Sequence, residues 1–188
     1  MTPPPALGPI GPTFGGQAGG GVKTGVILVG HGAFPKDCPK GLVQELKSLE
    51  MKRSVAGGEI SERERALDRR VRRWPRNAQN DPYRAGLETL AKHLETLLDG
   101  ASVSVAFNEF CVPSLEEAAE SLVASGANRV VVVPSMFIPG GGHCEKDIPD
   151  VLERLRSRYP RTEILYAWPF DLEVLSRMVA EQVRRFNG

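Results

Sequence analysis

Four short apolar runs rich in valine and isoleucine punctuate the chain: GVILVG at 25–30, SVSVAFN at 102–108, RVVVVP at 129–134 and TEILYAW at 162–168. Each has the length and β-branched content of a buried strand. Between and after them, apolar residues recur at i, i+3, i+4 and i+7, which predicts amphipathic helices. One such face is Leu87, Leu90, Ala91, Leu94, Leu97 and Leu98; another is Leu115, Ala118, Ala119, Leu122 and Val123. Ile148, Val151, Leu152 and Leu155 make a third, and Leu172, Leu175, Met178, Val179 and Val183 a fourth. A further helix is expected to start near Pro39, with Leu42, Val43, Leu46 and Leu49 on one side. Strands that alternate with helices imply right-handed crossovers and a mostly parallel four-stranded sheet, an α/β fold with helices on both faces. Ligands of such sheets bind beyond the carboxyl ends of the strands.

Two segments depart from this pattern. Residues 1–21 are mostly proline, glycine and small residues, and are expected to form a flexible tail before a single domain over 22–188. Residues 48–83 are expected to form a basic helical insertion, an arm packed loosely on the body or on a second subunit. Within it, SERE at 61–64 has the form of a capping box, Ile60, Leu67, Val71 and Trp74 make a narrow apolar stripe, and Pro75 stops the helix. Arg63, Arg65, Arg69, Arg70, Arg72, Arg73 and Arg76 outnumber Glu62, Glu64 and Asp68 there. Such a helix is either a solvated face laced with internal ion pairs or a cationic wall for a polyanionic ligand.

Bulk composition narrows the classes. The 188 residues carry a formal net charge of +1, so no global basic field points to nucleic acid or to an anionic membrane. No stretch has the length of uninterrupted apolar sequence that spans a bilayer, and the N-terminus has no secretory pattern. Cys38, Cys111 and Cys144 are odd in number and widely spaced, which excludes a disulfide framework and a structural zinc motif and suggests a reducing cytoplasm.

The chemistry concentrates at strand ends. His31 follows the first strand inside Gly30-His31-Gly32, and glycines on both sides allow a ligand or another backbone to come close. His143 follows Gly140, Gly141 and Gly142 after the third. Neither loop fits a nucleotide motif: there is no G-x-x-x-x-G-K-[ST], and Pro35 stands where the third glycine of G-x-G-x-x-G belongs. Glu109 ends the second strand between Phe107 and Phe110, where a carboxylate is costly unless it is bonded, paired or a ligand. His93 reads as a surface histidine and Cys144 as structural. Glu116, Glu117, Glu145 and Asp147 read as helix-start acids that favour the macrodipole. Two imidazoles and a carboxylate from three strand ends can converge on one open-sided divalent metal site, the donor set being suited to Co, Ni, Fe or Zn.

Taken in order, VILVGHGAF, the NEFCVPS segment, RVVVVP, PGGGH and DIP resemble the CbiX-type sirohydrochlorin chelatases, relatives of ferrochelatase. The likeness covers roughly residues 24–47 and 86–186; neither the tail nor the basic arm belongs to the short form of that family. It implies a flavodoxin-like sheet equivalent to one half of a two-half chelatase, with short members pairing as homodimers. It implies insertion of Co²⁺, Fe²⁺ or Ni²⁺, with Co²⁺ first, into sirohydrochlorin or a related tetrapyrrole of cobalamin or sirohaem biosynthesis. The metal is then a substrate and no cofactor is permanently bound. His31, Glu109 and His143 match the family's metal-site and catalytic positions. One departure touches the pocket: the family often reads G-H-G-S-R, whereas this chain reads GHGAFPKD. Other activities use the same donors. A non-catalytic metal or tetrapyrrole carrier, a non-haem iron oxygenase and a zinc hydrolase would differ in turnover, dependence on O₂ and use of a metal-bound water.

Overall fold

The computed structural model describes residues 21–186, so the expected tail lies outside the described residues apart from Gly21. Four strands, β1 (Thr24–Gly30), β2 (Ser102–Phe107), β3 (Arg129–Pro134) and β4 (Glu163–Tyr166), form one sheet in the order β2-β1-β3-β4, all parallel. The order reverses at β1, since the chain adds β2 on one side of it and β3 and β4 on the other. A crevice at the carboxyl edge of the sheet follows from that reversal.

Among the described residues six α-helices accompany the strands: α1 (Lys40–Ala56), α2 (Glu62–Arg72), α3 (Pro82–Leu97), α4 (Leu115–Ala124), α5 (Ile148–Arg158) and α6 (Leu172–Arg184). β1 is buried along its whole length, because it is central and covered on both faces. Ile27 and Val29 meet Leu115, Ala119 and Leu122 of α4 and Ile148, Leu152 and Leu155 of α5 on one face. Leu28 meets Leu87 and Ala91 of α3 and Phe107 on the other. Burying each such side chain contributes about 1.5–3 kcal/mol. In β3 the burial alternates, with Val130 and Val132 in the α4–α5 core and Val131 and Val133 half covered. β1 and β2 are level at Gly30 and Phe107, and β1 and β3 at Val29 and Pro134. The three neighbouring strands therefore deliver their following loops to one place.

The 48–83 segment is built differently from the expected loose arm. α1 runs through position 48 to Ala56, and α2 then folds back on it. Leu67 and Val71 of α2 close on Cys38, Leu42 and Leu46, which makes a third apolar cluster with Val71 and Leu46 fully buried. The arm has a core because the Leu67–Val71 stripe meets the matching Leu42–Leu46 stripe of α1. Ser61 caps α2 through the Glu64 N–H at 3.1 Å. Glu64 does not return the bond of a capping box; its buried carboxylate takes Arg53 at 2.9 Å. The reciprocal box is at α4, where the Ser114 hydroxyl accepts from Glu117 N–H and the Glu117 carboxylate accepts from Ser114 N–H.

Two predicted faces form helices without being buried along their length. In α3, Leu87 and Ala91 are buried while Leu90 and Leu97 are exposed. α6 buries none of its residues, and Leu172, Met178, Val179 and Val183 are each more than half exposed. On the sheet, Leu165 of β4 is exposed as well.

Candidate metal centre

His31 leaves β1 under tight backbone control. A Cβ on Gly30 would come within 2.7 Å of Leu87 Cδ2 and 3.0 Å of Tyr83 Oη, so the glycine is what lets α3 lie against the strand end. The Tyr83 hydroxyl accepts the His31 N–H at 2.8 Å. Gly32 has φ +96°, and a Cβ there would sit 1.9 Å from the Glu109 carbonyl oxygen. The close neighbour anticipated from the glycines is thus the backbone of the Glu109 loop. Glu109 N–H donates to the His31 carbonyl at 2.8 Å and Asn108 N–H to the Gly30 carbonyl at 2.9 Å, which extends the β1–β2 pairing past the last residue of the strand.

The Glu109 side chain is partly exposed and its carboxylate makes no hydrogen bond to backbone or arginine among the described residues; it faces the imidazoles. One oxygen lies 3.7 Å from His31 Nε2 and the other 4.0 Å from His143 Nε2. Ligand atoms of the three residues all lie within 4.8 Å of one another, and the two imidazoles meet edge to face with centroids 4.8 Å apart. Ligand atoms around one ion at about 2.1 Å stand roughly 3–3.6 Å apart, so an ion here would draw each side chain in by under about 1 Å.

The remote ring nitrogens orient both histidines. His31 Nδ1 is 2.9 Å from the Gly32 carbonyl, an obligate acceptor. His143 Nδ1 is 2.6 Å from the Asp147 carboxylate, likewise an acceptor. Both contacts put the proton on Nδ1 and leave the Nε2 lone pair facing Glu109, the arrangement that metal-ligating histidines use. The Asn108 amide is 2.5 Å from His143 Nδ1, and with that nitrogen protonated its oxygen is the end that fits. Asp147, anticipated only as a helix-start acid, is therefore a partner of His143. The signal was its spacing: His143–Asp147 form a single π-turn at the start of α5, and that turn brings residues four apart together.

The arm supports the same loops. Arg76 is buried and paired with the equally buried Asp81. Its guanidinium donates to the Ala33 carbonyl at 2.8 Å and to the Phe110 carbonyl, so one side chain ties the loop after His31 to the loop after Glu109. Its Nε is buried without a partner. Arg72, held by Asp68 at 2.8 Å, also reaches the Asn108 and Cys111 carbonyls at 3.4 Å. The loop so gripped is strained: Phe110 has φ +57°, a region that side chains rarely occupy, and it stacks on Phe34 with centroids 4.1 Å apart. In the sequence Arg72 and Arg76 are indistinguishable from the other arginines of a charged segment. Only the fold shows that they point inward.

The remaining candidates stay apart from this cluster. His93 is exposed on α3. Cys38, Cys111 and Cys144 are free and buried, and burial pushes all three thiols up, away from the reactive thiolate. Glu116 pairs with Arg154 at 2.7 Å, Glu117 caps α4, and Glu145 accepts from Gly140 N–H at 3.2 Å.

A cleft of about 770 Å³ opens beside the cluster; Asn108, Glu109 and Phe110 line it, and of the three clustered residues Glu109 alone does so. Arg65, Arg69, Arg72 and Arg73 line one wall, and the amino ends of α4 and α5 line the other, with Glu116, Asp147 and Arg154. Its volume is that of a small-molecule site. Glu50 of α1 also faces it, its carboxyl pushed up by burial and then by Glu109, Asp68 and Glu64.

Comparison with known proteins finds sirohydrochlorin chelatases among the sequences similar to this chain. A sirohydrochlorin ferrochelatase of Priestia megaterium is 33% identical over 90 residues, 48% of this chain and 33% of that one. A sirohydrochlorin cobaltochelatase of Methanopyrus kandleri is 39% identical over 72 residues, 38% of this chain and 50% of that one. The matched part thus spans between a third and a half of the length of these two relatives. A sirohydrochlorin cobaltochelatase of Saccharolobus islandicus is 48% identical over 90 residues, 42% of this chain and 70% of that one. The CbiX family model matches residues 78–185, a span that holds Glu109 and His143 but not His31. With more than half of its length inside that match, the chain belongs to the CbiX family.

Proposed function

We propose that this protein inserts a divalent metal into sirohydrochlorin or a closely related tetrapyrrole, with Co²⁺ the first candidate and Fe²⁺ and Ni²⁺ the others. The observation that carries the reading is the convergence of His31, Glu109 and His143, with both Nε2 atoms turned to one carboxylate beside an open cleft. Relatives named for both iron and cobalt insertion support the substrate class and leave the ion open, as does a nitrogen and oxygen donor set.

The residue types suit the chemistry. Three protein ligands on one side leave the other side of the ion to the macrocycle. Metallation removes two pyrrole protons, and an imidazole or carboxylate freed as the ion leaves can accept one. The site is partly exposed, with side chains of His31, Glu109 and His143 at 44%, 36% and 25%, which keeps ligation reversible rather than closed. We further propose that two copies associate. The exposed apolar residues of α6 and Leu165 of β4 support this, since a second copy would cover them.

An anaerobic absorbance time course tests the activity. Purified protein is mixed with sirohydrochlorin and Co²⁺, Fe²⁺ or Ni²⁺, beside His31→Ala and His143→Ala. The metallated spectrum is expected to form faster than in buffer, both variants losing the acceleration, and the fastest ion names the metal. Tight metal or tetrapyrrole binding with no acceleration for any ion would replace the chelatase by a carrier. Light scattering on the same samples tests the dimer.

A further inference from the structure

The arginines of the arm fall into two groups. Arg63 pairs with Glu45 at 2.7 Å, Arg65 with Glu62 at 2.9 Å, Arg72 with Asp68 at 2.8 Å and Arg76 with Asp81. Arg69, Arg70 and Arg73 have no carboxylate partner among the described residues. Arg69 and Arg73 are one helical turn apart, both are exposed, and both line the cleft that Glu109 also lines. Arg70 does not line that cleft; with Arg69, Arg73, Trp74 and Pro75 it borders a separate, shallower groove. Of the acids that α4 and α5 bring to the cleft, Glu116 is engaged by Arg154, Glu117 by Ser114 N–H and Asp147 by His143, while Asp150 has no side-chain partner among the described residues. The α2 wall therefore presents two uncommitted guanidiniums toward the space beside the metal-ligand cluster.

We infer that Arg69 and Arg73 dock a carboxylate arm of the tetrapyrrole and so set which edge of the macrocycle lies against His31, Glu109 and His143. The inference rests on the chelatase reading and adds to it the residues that recognise the substrate. Guanidinium suits the task because its planar fork bonds a carboxylate through two parallel N–H groups. α2 is anchored well enough to aim them, since Leu67 and Val71 are buried against α1 and Arg72 and Arg76 are bonded to the site loops. The sequence alone does not separate these two from their neighbours; the pairing pattern in the fold does.

The test uses the full chain. KM and kcat for sirohydrochlorin with Co²⁺ are measured for the native protein, for Arg69→Ala/Arg73→Ala, for Arg69→Lys/Arg73→Lys and for Arg70→Ala. The double alanine variant is expected to raise KM about tenfold with kcat within about twofold, and raised salt is expected to shrink the difference. Lysine is expected to restore part of the loss and Arg70→Ala to change neither constant. A double alanine variant with unchanged KM and normal metal insertion overturns the docking role and leaves the chelatase reading standing. A second readout is binding of uroporphyrin, a carboxylate-rich macrocycle, followed by its fluorescence without metal. Binding that weakens in the double variant, even where no metal is inserted, supports the carboxylate site while removing the chelatase reading. A native protein that neither inserts metal nor binds uroporphyrin overturns both.

Discussion

After β1 the chain runs Gly30-His31-Gly32, and after β3 it runs Gly140-Gly141-Gly142-His143. The two stretches read alike, and the structure builds them by different means. Around His31 the glycines are spaces already filled: α3 packs on Gly30, the Glu109 carbonyl packs on Gly32, and the imidazole is turned by a backbone carbonyl. Around His143 nothing lies within 4 Å of a Cβ on Gly140, Gly141 or Gly142, and the imidazole is turned by the side chains of Asp147 and Asn108. One imidazole is set by backbone packing, the other by a short side-chain network on a π-turn. A glycine beside a histidine thus marks close approach in one loop and only chain freedom in the other.

The sharpest way to break the comparison is to add one methyl group to each loop. Gly32→Ala is expected to destabilise the protein by about 2–6 kcal/mol, from left-handed backbone strain and the clash with Glu109 together. Gly141→Ala is expected to stay within about 0.5 kcal/mol, since its Cβ meets open space. Urea unfolding of both variants checks the contrast, and equal effects would remove it.

Asp147→Asn is expected to come next in size. It replaces an obligate acceptor at His143 Nδ1 by an amide and should weaken metal binding about 10- to 100-fold with little change in unfolding. Calorimetric titration with Co²⁺ measures it. No side-chain substitution can do the same to His31, whose Nδ1 partner is main chain.

Tyr83→Phe removes the acceptor of the His31 N–H and is expected to cost about 1 kcal/mol. Loss of metal affinity greater than loss of stability would show that α3 aims the histidine as well as holding the strand end.

The smallest effect concerns the cleft acid Glu50. Its carboxyl is raised in the folded protein by burial and neighbouring acids, so the folded state holds its proton to higher pH than the unfolded chain. Stability from this group is present below the ordinary glutamate range and is lost as pH rises through the raised folded value. Glu50→Gln should therefore give a gain within about 0.5 kcal/mol at neutral pH that disappears in acid. Unfolding curves at several pH values follow it, and a gain that grows in acid would contradict the assignment.

Much of this molecule was legible along the chain because its strands are short, β-branched and separated by amphipathic helices. The four apolar runs are the four strands within one or two residues at each end, and the predicted faces lie on helices apart from Ile60, Trp74 and Leu98, which fall just outside helix ends. Glu109 was legible as a strand-end acid, but its side chain is partly exposed, so the desolvation cost expected from Phe107 and Phe110 does not set it apart; its approach to both imidazoles belongs to the fold. The arm was legible as a helix and not as a packed one, because Leu67 and Val71 acquire meaning only opposite Leu42 and Leu46. Asp147, Asn108, Arg72 and Arg76 were readable as polar residues and no further, since a hydrogen bond between residues far apart in sequence leaves no periodicity behind.

The amino-acid sequence by itself determined the elements, the parallel α/β class and the three strand-end residues with ligand chemistry, because those depend on local period and on side-chain type. The tertiary structure decided the rest. The order β2-β1-β3 made three strand ends adjacent, the register set their loops level, and the Glu109 carbonyl took the place of a side chain on Gly32. It decided too which arginines brace the site and which two unpaired ones line the cleft, because pairing depends on which charges meet in space rather than on how many a segment contains.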